Sequence, residues 1–254
     1  MRGATAYLMD EYSAVVTFLE ITVFVCVVIL MGMITALEVQ KRNKKRVNVF
    51  IDSEYALSLS LDEAARLRKG QLISEAEITA LKDQAAVTVA TDQAAHFLSL
   101  RPRSVHEVRQ NLRQKDTPPP VIDAAIERLT ALGYLDDQQF AAFWVRDRNQ
   151  FKPTSPRAMQ YELRQKGISD TIIQEALANL DAEDAAYRAA HGHMRRLRGT
   201  EQRAFRDKMY VFLQRRGFSF DLARRVVTRL IEEIDAETPD FFAGGEDFDE
   251  NDIT

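Results

Sequence analysis

The chain has 254 residues, of which 46% are hydrophobic and 28% charged, with only ten glycines and seven prolines. That composition excludes a fibrous or low-complexity protein, and the length allows one large domain or two to three small ones. A single cysteine, Cys26, excludes an internal disulfide and any cysteine-based zinc site. The formal net charge of −4 conceals a division: residues 101–229 carry 24 basic against 16 acidic residues, whereas 230–254 carry ten acidic and no basic ones. A basic body with an acidic tail points to a polyanion or an acidic protein surface as partner, the plainer alternative being an arginine-rich solvated surface.

Residues 14–33 are strongly apolar apart from Glu20, and Ile21 to Leu37 carries no charge, about the lower limit for a membrane-spanning helix. Only Arg2 is basic ahead of this stretch, and Asp10 and Glu11 follow it, which makes a poor signal peptide. As a membrane helix it would be oriented by the basic cluster Lys41 to Arg46, which holds the following chain in the cytoplasm. The favoured alternative is that the segment 1–33 is a start-site artefact, with Met31 or Met33 as the initiator. On either reading the body is cytoplasmic.

From Ile34 the apolar period becomes two. Leu37 and Val39, then Val47, Val49 and Ile51, then Tyr55, Leu57 and Leu59 predict a three-stranded β-meander with one apolar face. Such a sheet needs a partner layer, here the helix expected over Leu61–Lys69 and closed by Gly70. Ser74 to Glu77 has capping-box spacing and opens a long helix that runs to about Leu100, where Arg101-Pro102-Arg103 breaks it.

Beyond that break the chain repeats. Val108, Leu112, Lys115, Asp116, Val121, Ala125, Ile126 and Leu129 recur 51 residues later as Met159, Leu163, Lys166, Gly167, Ile172, Ala176, Leu177 and Leu180. They recur a further 50 residues on as Met209, Leu213, Arg216, Gly217, Leu222, Val226, Val227 and Leu230. A fixed period near 50 is the mark of a repeat architecture whose units share their cores. In the second copy Ser155 caps a helix with Pro156 in its first turn, Gly167 ends it, and Ser169 caps the next helix with Ile168 stapled to Ile173. A third helix precedes each pair: the end of the long helix in the first unit, Phe140–Val145 capped by Asp136-Asp137 in the second, and Ala185 to about Arg198 capped by Asp184 in the third. The predicted fold is therefore all-α, three tandem three-helix repeats forming a curved array, preceded by the small meander. The predicted divisions are 34–73 for the meander and short helix, 74–133, 134–183 and 184–236 for the repeats, and 237–254 for an acidic disordered tail. Asp116 takes the place of glycine at the first corner, and the structural corners are Asp116, Gly167 and Gly217.

The chain has no phosphate loop, no dinucleotide fingerprint and no nucleophile elbow. His191 and His193 lack a third ligand, so no metal is expected. Asp136-Asp137 fits capping better than acid–base work, and Trp144 fits the core. No catalytic residue and no cofactor is predicted; the chain reads as a binding protein. Its candidate contacts are the basic residues Arg101, Arg103, Arg109, Arg113, Arg146, Arg148, Lys152, Arg157, Arg164, Arg195, Arg196, Arg215, Arg224 and Arg225. Lys115, Lys166 and Arg216 read instead as charges that complement helix C-termini.

Four separated motifs carry a resemblance. They are Phe97-Leu98-Ser99-Leu100-Arg101-Pro102-Arg103-Ser104 with Glu107-Val108 and Leu112; Gly133-Tyr134-Leu135-Asp136-Asp137-Gln138-Gln139-Phe140-Ala141; Glu162 to Ile168; and Leu213 to Phe218. Together they resemble the RecX family of recombinase regulators, over about residues 34–235. The resemblance implies a cytoplasmic, monomeric, non-enzymatic protein that lodges in the groove of the RecA–DNA filament. There it restrains filament growth, ATP hydrolysis and strand exchange in recombinational repair and the SOS response, touching single- and double-stranded DNA within the filament. Family members of this kind start near the position of Met31 or Met33. Asp116, the apolar N-terminus and the acidic tail depart from the family pattern. Two other readings remain, a stand-alone DNA-binding helical module and a membrane-anchored scaffold. The tail either competes with acidic partners for the basic face or is a solubilising end.

Overall fold

The computed structural model describes residues 31–243. Most of the apolar N-terminal stretch, Cys26 and the acidic run from Glu246 lie outside the described residues. Among those described, no helix is long and apolar enough to cross a membrane. The chain forms two compact units, residues 31–96 with 112–128, and 97–111 with 129–243.

The first unit contains strands β1 (Met31–Val39), β2 (Arg46–Ile51) and β3 (Glu54–Ser60), a single helical turn α1 (Leu61–Ala64), strand β4 (Leu72–Ser74) and most of the long helix α2 (Glu75–Leu100). The sheet is antiparallel in the order β3-β2-β1-β4 and so has four strands, not three. β4 is too short to show alternation in sequence. The expected helix Leu61–Lys69 stops after one turn because β1 competes for the backbone. The Gly70 N–H donates to the Ile34 carbonyl and the Ile34 N–H to the Gln71 carbonyl, which draws residues 70–74 along the open edge of β1. Ile34, Val47, Val49, Ile51, Leu57, Leu59 and Ile73 make the buried face, and Ile78, Leu81 and Ala85 of α2 cover it. The long helix, not the short one, is the second layer. Its start is the expected capping box, with the Glu77 carboxylate accepting from the Ser74 N–H at 2.8 Å and Ser74 Oγ from the Glu77 N–H at 3.3 Å.

Eight further helices follow: α3 (Val105–Arg113), α4 (Pro119–Ala131), α5 (Asp137–Phe151), α6 (Pro156–Gln165), α7 (Asp170–Leu177), α8 (Ala182–Met194), α9 (Gln202–Arg215) and α10 (Phe220–Glu237). The periodicity maps onto burial. Val108, Met159 and Met209 are fully buried, as are Leu112, Leu163 and Leu213. In the last helix of each repeat the buried position is Ile122, Ile173 or Ala223, one residue beyond the aligned Val121, Ile172 and Leu222, which are half-buried. α5, α6 and α7 enclose one core around Met159 and Leu163. α8, α9 and α10 enclose another around Phe205, Met209 and Leu213.

Two caps differ from expectation. Ser169 stands at the N-cap of α7 with an extended backbone, but its side chain makes no capping bond. α8 is capped by Asp181, which accepts from the Glu183 and Asp184 N–H groups, rather than by Asp184, which pairs with Arg188. The chain also stays in the fold beyond residue 237. A 3-10 turn, Pro239–Phe241, seats Phe241 edge-on against Phe205 and Phe242 beside it, with ring centroids 5.8 and 5.3 Å from Phe205. The Gly199 N–H donates to the Phe241 carbonyl and the Ala243 N–H to the Thr200 carbonyl. Phe205 occupies the repeat position of Ser155, so the C-terminal aromatic pair covers the end of the third repeat as a terminal cap.

Candidate functional site

The corners come first, because they fix where the basic helices point. In each repeat the middle helix ends in the same Schellman turn. The Ile168 N–H donates to the Leu163 carbonyl and the Phe218 N–H to the Leu213 carbonyl, with Gly167 at φ +76° and Gly217 at φ +84°. Each corner is also a joint onto the preceding repeat. The Lys166 carbonyl accepts from Ser104 Oγ at 2.7 Å, and a Cβ added at Gly167 would collide with His106. One repeat on, the Arg216 carbonyl accepts from the Ser155 N–H at 3.0 Å, and a Cβ at Gly217 would lie 2.6 Å from Ser155 Oγ. Glycine therefore meets two demands at 167 and 217, a left-handed backbone and a close approach. Asp116, at φ +57°, has the first demand and an exposed side chain. Aspartate tolerates that backbone region, which is why it can stand there.

Lys166 is consequently more than a helix-end charge. Its Nζ donates to Glu107 Oε1 at 2.8 Å, across 59 residues of sequence. Arg101 pairs with the same carboxylate at 2.9 Å, and the Ser104 N–H caps it. Burial by itself would push the Glu107 carboxyl up; the bonds from Arg101, Lys166 and Ser104 outweigh it and hold the group at about 2. Arg103 lies over the Phe97 ring at 4.0 Å with Nε buried and unpartnered. Beside this cluster Trp144 is a half-buried platform rather than deep core. Its Nε1–H donates to Glu162 Oε2, Arg148 lies over the ring at 4.3 Å and also pairs with Glu162, and Lys166 lies over it at 4.8 Å. Asp136 caps α5, as expected, whereas Asp137 reaches away to accept from the Val105 N–H at 3.0 Å, capping α3. Burial raises the Asp137 carboxyl above its ordinary range, opposed by that bond.

The second joint is built in the same way. Arg216 NH1 donates to the Pro153 carbonyl at 2.8 Å, and the guanidinium lies over Phe212 at 4.8 Å. Arg188 donates to the Asn149 carbonyl at 2.8 Å, tying α8 to the end of α5.

Among the candidate contacts, then, Arg101 shares the Glu107 carboxylate with Lys166 at the joint between repeats, whereas Arg103 over Phe97 and Arg148 on Glu162 make their contacts within a repeat. Arg164 pairs with Asp170 at 2.7 Å and Arg225 with Glu183 at 3.4 Å, both on the surface. Arg109 also has a partner. Arg113, Arg146, Lys152, Arg157, Arg195, Arg196, Arg215 and Arg224 are exposed, with no ion pair among the described residues. Sequence inspection does not separate these groups, because paired and unpaired arginines alike have acidic residues nearby in the chain, and the fold decides which of them meet, as for Arg101 with Glu107 and Arg148 with Glu162. A readable signal existed for one of them: Ser104-Val-His-Glu107 is itself a capping box, which marks Glu107 as a folded-in carboxylate. His191 and His193 diverge, the first beside Tyr187 and the second stacked on Phe212. No group of potential metal ligands occurs among the described residues.

Four family models match in chain order. They are the N-terminal domain of regulatory protein RecX over residues 32–74 and the first, second and third RecX three-helix domains over 90–129, 136–177 and 181–227. The regulatory protein RecX of Bacillus subtilis is 35% identical over 214 residues, covering 82% of this chain and 81% of the relative. That of Lactobacillus johnsonii is 36% identical over 205 residues, covering 79% and 75%. A crystal structure of a regulatory protein RecX superposes with a TM-score of 0.62 at 26% identity, covering 77% of this chain and 98% of that one.

Proposed function

This chain belongs to the RecX family of regulatory proteins, and from that premise we propose that it regulates the RecA recombinase by lodging in the groove of the RecA–DNA filament. There it restrains filament extension, ATP hydrolysis and strand exchange, by binding and without chemistry of its own. The setting is recombinational DNA repair and the SOS response, in the cytoplasm, with the protein acting as a monomer. Its exposed arginines meet acidic groups of the recombinase and phosphates of single- or double-stranded DNA held in the filament.

The observation that supports this reading is the division of the basic residues. One set is consumed by contacts within the fold, while Arg113, Arg146, Arg157, Arg195, Arg215 and Arg224 stay exposed on successive repeats, with no ion pair among the described residues. A filament offers its partner charges at a regular spacing. Many weak ionic contacts from repeated units then add up to strong, salt-sensitive binding. The direct test uses the full chain with purified RecA, single-stranded DNA and ATP. Strand exchange and ATP hydrolysis should fall at substoichiometric protein, and the protein should co-sediment with the filaments. Unchanged strand exchange at equimolar protein would sink the reading.

A further inference from the structure

Where α5 meets α8 and α9, a cleft of about 290 Å³ opens to solvent. Phe151, Arg188, Gly192, His193, Arg196 and Arg216 line it, and none of its lining residues is acidic. Three features set it apart from an ordinary groove between packed helices. The first is Phe151, the last residue of α5, which is 74% exposed at the rim. A phenylalanine that leaves so much of its ring in water contributes little to its own fold.

The second is charge. Arg196 has no ion pair among the described residues, Arg216 uses one terminal nitrogen on Pro153 and keeps its other donors, and Arg188 stands alongside. His193 is stacked flat on Phe212, with centroids 3.9 Å apart. Burial, then Arg196 and Arg216, make it harder to protonate than an ordinary histidine. Arg188 is already paired with Asp184, but the positive charge of Arg196 and Arg216 is gathered in the cleft with no carboxylate among its lining residues to balance it.

The third is Gly192. It sits within α8, near its C-terminal end, where glycine is less favourable than alanine, and its φ is not left-handed. Nothing lies within 4 Å of a Cβ added there. Unlike Gly167 and Gly217, it has no reason inside the chain to be glycine. A helix backbone left bare at the wall of a basic cleft is suited to the close approach of something from outside.

We propose that this cleft binds one nucleotide unit of a single-stranded nucleic acid, with the phosphate held by Arg196 and Arg216 over the bare backbone at Gly192 and the base stacked on Phe151. A flat exposed ring next to arginines is how single strands are held without regard to sequence. An acidic peptide would use the arginines but leave the ring idle. The proposal goes beyond the filament reading because it requires no recombinase.

The test is fluorescence anisotropy of a labelled oligothymidylate with the full chain, recombinase absent, alongside thermal melts. Gly192→Ala is the informative variant: it should raise Tm by about 2–4 °C through helix propensity, yet weaken binding roughly tenfold or more. Phe151→Ala should weaken binding by about 5–150-fold, the range of one base-stacking contact. It should have no effect on an abasic oligonucleotide of the same length. Arg196→Ala should reduce the salt dependence by about one phosphate contact, whereas Arg68→Ala, outside the cleft, should leave the affinity unchanged. Wild-type affinity in Gly192→Ala overturns the proposal. So does polyglutamate that displaces the oligonucleotide with equal potency and the same dependence on Arg196, since the cleft would then be an acidic-peptide site. Loss of regulation of RecA with oligonucleotide binding intact would sink the filament reading and leave the cleft standing.

Discussion

At residue scale the two glycine corners separate conformational strain from crowding. Gly167→Ala must place a Cβ at φ +76° and against His106. The left-handed cost of about 1–2 kcal/mol and overpacking of about 1–3 kcal/mol together predict a loss of about 2–5 kcal/mol. Asp116 already carries a side chain at φ +57°. Asp116→Ala should therefore cost only about 1 kcal/mol, the loss of a tolerant residue in that region. Denaturant midpoints of the two variants give the comparison, and equal losses would mean that crowding at the joint is unimportant. Glu107 supplies a pH signature. Its folded value, about 2, lies below the ordinary 4.5, so the stability it contributes is fully present above about pH 4.5 and is lost as pH falls toward 2. In Glu107→Gln that part of the acid-induced drop in Tm should disappear. An acid profile identical to wild type would show that the Arg101–Glu107–Lys166 cluster does not stabilise the fold.

Elements bring out the difference between inner joints and an end. The second and third repeats dock their glycine corners onto the helix start before them, at Ser104 and at Ser155. At the equivalent place in the third repeat stands Phe205, fully buried and covered by Phe241 and Phe242. A repeat that ends an array must close its own open face, and here two aromatic rings do so. Phe241→Ala should therefore cost about 3 kcal/mol, the usual loss on emptying a buried aromatic site. Hydrogen exchange should rise at the amides of Gly199 and Ala243, whose acceptors lie in the paired segments. Faster exchange at neither amide would show that the terminal turn holds without its aromatic anchor.

For the whole molecule the relevant quantity is the opposition of charges along the chain. Residues 101–229 carry a surplus of eight positive charges, and five acidic residues follow Ala243 with no basic one among them. A tail deletion has to begin after Ala243, because cutting at 237 would also remove the aromatic cap. Deleting residues 244–254 is expected to tighten binding to filaments or to single-stranded DNA several-fold at low salt. The gain should fade as ionic strength shortens the reach of the charges to about 8 Å at 0.15 M. An affinity that is unchanged at every salt concentration would make the tail a solubilising end.

The repeat was legible in the sequence because shared cores impose a strict apolar spacing, and because a helix that ends in a left-handed turn selects glycine, or aspartate in its place. Val108, Met159 and Met209 could be matched from spacing alone, and so could the capping boxes, which depend on residues three apart. Local chemistry at short separation leaves a local signature. The fourth strand, the cap made by Phe241 and the division of the arginines did not, since each depends on a partner fixed by the fold. Gln71 comes to β1 by a backbone bond that no side chain announces, and Lys166 finds Glu107 across 59 residues. The sequence by itself determined the helical repeats, their corners and the basic character of the body, because these follow from periodicity and composition. Only the tertiary structure decided which cations are tied into the fold and which stay exposed with no ion pair among the described residues, because a charge is free or spent according to what the fold brings within about 4 Å of it.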